Sequence, residues 1–174
     1  MSEDDAGFAH VLKEVPLFRP TREERRGRVS STTLAPGDRL PTKVVIDFGS
    51  TPEGPDLGPD LEIATRAWDR AEEPGEREIR GFCGERDLME RRARDPLSAQ
   101  SLSLPGDARW SSQTIEVDTV PRTFTVLRTS HSWVAVAALG AHLVRIFARA
   151  PGPGAIALCR ITSMDELERV RGRG

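Results

Sequence analysis

Cys83 is the residue of this chain whose setting best suits chemistry. It stands in Gly81-Phe82-Cys83-Gly84, ahead of Glu85-Arg86-Asp87, and such small neighbours leave a thiol accessible. A helix beginning near Glu85 would aim its positive end at the sulfur and lower a pKa that is about 8.5 in free cysteine. With one of the three histidines as base, the thiolate would be the nucleophile of a Cys–His enzyme. The competing reading is a half-buried cysteine in a glycine-rich turn, since free cysteines mostly behave as small core hydrophobes. Cys159 alternates with Ala157 and Ile161 in a strand-like run, which predicts core packing. The two cysteines form no C-x-x-C pair, so the sequence suggests reduced thiols rather than a disulfide framework or a zinc knuckle.

Other chemistry finds less support. His131 lies in Thr129-Ser130-His131-Ser132-Trp133, and His142 opens the next strand-like run. If the two strands pair across Leu139-Gly140, these histidines fall at opposite ends of the hairpin. No His pair has the i, i+4 spacing of a helical metal site, so no metal is expected. The acidic stretch with Asp56, Asp60 and Glu62 is interrupted by prolines and lacks the alternating oxygen ligands of a calcium loop. Pro151-Gly152-Pro153-Gly154 has neither the lysine nor the hydroxyl of a phosphate-binding loop, so it reads as a turn and no cofactor is implied. The tail Arg169-Val170-Arg171-Gly172-Arg173-Gly174 is the one cluster suited to a polyanion, and a frayed terminus explains it better. Trp68 and Trp110 sit in polar or small surroundings, each a core anchor or a recognition residue of the kind enriched at binding hot spots, with core anchoring favoured.

The elements that must position these groups follow from periodicity. Phe8, Val11, Leu12 and Val15 share one helical stripe, preceded by acids and closed by Pro16. Val29–Leu34 and Lys43–Phe48 read as strands around a Pro36-Gly37-Asp38 turn. Residues 51–60 and 96–112 read as long loops, the latter with room for a short edge strand. Between them, Leu61, Ala64, Trp68 and Ala71 form a helical stripe, while Leu61, Ile63, Thr65 and Ala67 form a weak strand alternation that could pair with Glu78–Phe82. The helix is favoured, followed by a short charged helix over Glu85–Arg94. Further on, Ile115/Val117, Phe124/Val126, the apolar Ser132–Leu139, Val144/Ile146/Ala148 and Ala155–Thr162 alternate as strands. Ser163-x-x-Glu166 is a capping box opening a final helix. The expected fold is a single α+β domain over residues 1–174. It comprises an N-terminal helix, a partly helical charged middle, an antiparallel meander of four to five strands in the C-terminal half, a capping helix, and a frayed tail at 169–174.

At 174 residues the chain is about one domain long. Its 25 Lys plus Arg against 27 Asp plus Glu give net −2, without the basic excess that drives nucleic-acid binding. Lysine occurs only at 13 and 43; arginine, alanine, glycine and proline abound, as in high-GC bacterial coding, so single arginines carry little weight. No apolar run approaches the roughly 20 residues that span a bilayer, and the acidic start is unlike a signal peptide, which points to the cytoplasm. Charge is segregated: residues 51–95 carry 13 acidic and 8 basic residues, net −5, and residues 96–162 carry 3 acidic and 6 basic, net +3. With no site signature, a non-catalytic protein–protein interaction or binding module is favoured, docking another protein through the acidic middle with Trp68, Glu72, Glu73 and Glu76. The alternative is a small cysteine-dependent enzyme with Cys83 as nucleophile.

Overall fold

The computed structural model describes residues 3–34, 36–38, 40–49, 61–94 and 106–168, the side chains of 3–7 and 87–94 excepted. The expected loop at 51–60, most of the loop at 96–112 and the 169–174 tail therefore lie outside the described residues. The stripe of Phe8, Val11, Leu12 and Val15 folds as helix α1, Glu3–Glu14. Strands β1 (Phe18–Pro20), β2 (Gly27–Thr33), β3 (Lys43–Phe48) and β4 (Leu61–Ala67) follow, then helix α2 (Glu76–Arg94). The rest of the chain is β5 (Arg109–Val117), β6 (Val120–Arg128), β7 (Ser132–Leu139), β8 (His142–Arg149), β9 (Ala157–Arg160) and β10 (Leu167–Glu168).

All ten strands join one mixed sheet in the order β1-β9-β5-β6-β7-β8-β4-β3-β2-β10. This corrects the α+β expectation: the protein is mostly β, with two α-helices among the described residues. The β5–β8 meander is present, and β7 and β8 reverse through Gly140 at φ +63°, with Leu139 opposite His142. What the α+β reading omitted is that the outer strands of a meander present unpaired backbone, which more chain must cover. Here β8 takes β4 antiparallel along its whole length, and β5 takes β9 parallel. The sheet curls so far that β1, at one end, touches β4, six places along the order.

Two local corrections follow. Leu61–Ala67 is a strand, its residues Leu61–Arg66 paired with β3 and all seven with β8, so long-range pairing overrode the helical stripe of Leu61, Ala64 and Trp68. Glu78–Phe82 lies not in a partner strand but in α2, a single 19-residue helix that also absorbs the expected short helix at Glu85–Arg94. The capping box at Ser163 does form. It opens a three-residue 3₁₀ turn, Met164–Glu166, and the chain then runs straight into β10 alongside β2, so the expected capping helix does not form among the described residues.

Two cores lie on the two faces of the sheet. Inside the curl, Val44, Ile46, Ile63, Ile115, Phe124, Trp133, Ala135, Val144 and Ile146 meet Val11, Leu12 and Val15 of α1. On the outer face, Leu127, Val134, Val136, Leu143 and Phe147 meet Trp68 and Ile79. Strand β7 is buried on both faces, which explains why Ser132–Leu139 is apolar nearly throughout. No described helix is long and apolar enough to cross a membrane. Cys159 does not face the core: its neighbours Leu158 and Ile161 do, and Cys159 is half-buried.

Candidate functional site: the cleft between α2 and the sheet

Strand parity decides what the outer face carries. On β8, Leu143, Arg145 and Phe147 alternate with the inward Val144, Ile146 and Ala148. Arg145 is thus a cation on a buried row, its side chain 11% exposed. Its neighbours in register are Ala64 on β4 and Val136 on β7. Two positions along β4 stands Glu62, which accepts a hydrogen bond from Arg145 Nη2 and lies 3.7 Å from Arg86 on α2. Buried charge is costly unless paired, and Glu62 compensates Arg145. Nε of Arg145 is nonetheless buried without a hydrogen-bond partner.

Helix α2 lies over β6 and β7. Its start is fixed by Glu78, whose Oε2 accepts the Gly75 amide at 2.8 Å, half of a capping box. Ile79 is fully buried, and Phe82 and Cys83 pack beside it. Between this helix and the sheet opens a cleft of about 300 Å³, lined by Lys43 at the start of β3, Arg66 at the end of β4, Arg70, Arg77 and Arg145, with Glu78 and Glu85 as its carboxylates. Phe82, Val136 and Leu143 supply apolar wall. Burial, reinforced by the charge of Arg145, pulls the Lys43 ammonium below the ordinary lysine range.

The structure places Trp68, Glu72, Glu73, Glu76, Cys83 and Trp110 on or beside this helix. Trp68 is buried in the outer core, with Arg66 and Arg70 each 5.3 Å from its ring centroid. Its Nε1–H donates to the Glu72 carbonyl at 3.1 Å. Glu72, Glu73 and Glu76 are all exposed on the connector and first turn; Glu76 pairs with Arg80 at 3.5 Å. Trp110 sits half-buried against the outer core, with Arg80 5.3 Å from its ring centroid. Cys83 is not at a helix N-terminus, because α2 begins at Glu76 and places it in the second turn. Burial pushes its thiol up, against the smaller opposing pull of Arg145 and Arg86. His142 has the inward parity of Val144, on the other face of the sheet, and His131 is exposed on the β6–β7 turn. No three His, Cys, Asp or Glu side chains converge as a metal centre among the described residues.

Sequence reasoning missed the cations of the cleft. They come from β3, β4, the connector, α2 and β8, so no spacing announces them. Two signals existed: Lys43 is one of only two lysines in the chain, and Arg145 interrupts the apolar row Leu143–Phe147. A larger cleft of about 810 Å³ opens at one end of the curl, lined by Leu61, Thr114, Glu116, Ala148, Ile156 and Ala157 among others. Glu23 there pairs with Arg25 at 2.8 Å, and Arg149 is likewise engaged within the chain. Comparison with protein-family models, with curated proteins and with solved structures finds no match.

Proposed function

We propose that the chain is a non-catalytic binding module that docks another protein through the charged shoulder made by residues 69–76 and the first turns of α2. Glu72, Glu73 and Glu76 are its acidic contacts, and the partner presents a basic surface. The observation that carries this reading is the way the shoulder is held. Trp68 is buried beneath it and bound through Nε1 to the Glu72 carbonyl, so the carboxylates stand on ordered backbone. Groups already in place lose little further entropy on association, and functional loops on rigid scaffolds work this way. Glu72 and Glu73 form no ion pair among the described residues, which leaves their charge to steer a partner.

The thiol supports the non-catalytic side of the proposal. An activated cysteine needs a lowered pKa, and the environment of Cys83 acts in the opposite direction. Both thiols are free, which suits a reducing compartment such as the bacterial cytoplasm. The test is to capture partners from a lysate of the source cell with the full chain, then measure association rates for the Glu72→Lys/Glu73→Lys/Glu76→Lys variant over a range of salt. Slower association and a shallower salt dependence are expected. Captured partners that bind the triple variant at the wild-type rate at every salt concentration rule the docking face out.

A further inference from the structure

We propose that the cleft between α2 and strands β3, β4 and β8 binds a compact oxyanion of the phosphate class, either free phosphate or a phosphate monoester. The cleft borders the docking shoulder and shares Arg70, Arg77 and Glu78 with it, but anion binding there does not depend on Glu72, Glu73 and Glu76 and stands even if they bind nothing. Five cations and two carboxylates line the cleft; with Arg145 compensated by Glu62 and Arg70 by Glu78, Lys43, Arg66 and Arg77 stand against Glu85, an excess of two positive charges. One of those carboxylates, Glu78, is already bound to the Gly75 amide at 2.8 Å and to Arg70 at 3.7 Å. Lys43, Arg66 and Arg77 form no ion pair among the described residues. Burial above all holds the Lys43 ammonium down, with Arg145 adding to it and Glu62 and Glu85 opposing; a bound anion favours its charged form.

The choice of anion follows from charge and shape. A phosphate group carries about −1.5 to −2 at neutral pH and offers three strong acceptor oxygens, which matches the excess and the several guanidinium forks. A carboxylate brings a single charge. An extended polyanion does not suit a cleft of about 300 Å³, and the segment that joins two of its arginines, Arg70 and Arg77, carries the exposed Glu72 and Glu73. Gly81 lines the cleft, and a Cβ built on it meets no atom within 4 Å, so the space before it is open to a ligand.

The full chain is titrated calorimetrically at low salt with inorganic phosphate, phenyl phosphate and benzoate. One saturable site per chain is expected for phosphate below about 10 mM, with benzoate about ten-fold weaker or worse. Lys43→Ala/Arg66→Ala weakens phosphate binding about ten-fold or more, the effect of losing a charged hydrogen bond. Gly81→Leu fills the open space without changing charge, and should abolish binding while its thermal midpoint stays at or above wild type, because leucine favours helix over glycine. Equal affinity for the two phosphates identifies free phosphate as the source, and tighter binding of phenyl phosphate identifies a monoester. Absence of saturable phosphate binding, benzoate binding as tight as phosphate, or wild-type affinity in both variants overturns the proposal.

Discussion

Ile79→Ala tests whether α2 is held to the sheet as the structure implies. Ile79 is 0% exposed and is the one described side chain of α2 in the buried class; Phe82 and Cys83 are half-buried beside it. Removing three carbons loses about 2.4 kcal/mol of transfer free energy at ~0.8 kcal/mol per methylene, and the residual cavity adds to this, giving about 3–4 kcal/mol in all. That is a large share of the roughly 5–15 kcal/mol by which domains are stable. Urea unfolding followed by tryptophan fluorescence measures it, and hydrogen exchange locates it. Amides of α2 should exchange faster, while those of β7 and β8, bonded on both edges, stay protected. A loss under about 1 kcal/mol, or exchange that accelerates equally across β7 and β8, refutes the idea that this side chain anchors the helix.

Three further perturbations bear on particular contacts. Gly152 has φ +89° and a Cβ there would sit 2.7 Å from Cβ and Cγ of Trp133, so Gly152→Ala should cost about 2–4 kcal/mol by thermal melting. Glu166 accepts the Thr162 and Ser163 amides at 2.9 and 3.1 Å and pairs with Arg19 at 3.3 Å. Burial opposes its ionisation, but these partners hold its pKa below the usual glutamate value. Its stabilisation is therefore present above the unfolded pKa, about 4.3, and is lost as pH falls through the lower folded value; Glu166→Gln should flatten the acid limb of a stability-versus-pH curve, and an unaltered limb contradicts this. Cys83 should alkylate with a midpoint above the ordinary 8.5 or so, because burial outweighs its two arginines; a midpoint below neutrality reopens the cysteine-enzyme reading.

How much of this was legible in the sequence depends on the range of each interaction. The meander could be read because its turns are short and its alternation strong: Ile115 and Val117, Phe124 and Val126, and the reversal at Gly140 are all local signals. Leu61–Ala67 could not be read the same way. Ala64 and Thr65 are both buried on opposite faces, so inward and outward positions look alike, and only the distant β3 and β8 fix the strand. The pairings that enlarge the sheet join Phe18 to Arg160 and Leu167 to Gly27, separations that periodicity does not register. Glu72, Glu73 and Glu76 were singled out through local charge. Arg66, Arg70, Arg77 and Arg145 were discounted because arginine is common throughout this chain, and what distinguishes them is convergence in space.

The sheet order also has a consequence for how the chain is made. Strands β1 and β2 are synthesised early, yet the partner of β1 is β9 and the outer partner of β2 is β10. The free side of β5 is likewise covered only by β9. Until residues 157–168 leave the ribosome, three rows of backbone amides and carbonyls stand open, each a template for pairing with another chain. Twelve late residues thus cover the edges of a sheet whose inner strands are already in place. A nascent chain that stalls before Ala157 keeps most of its two cores but offers sticky edges, and its hazard is intermolecular strand exchange rather than simple unfolding.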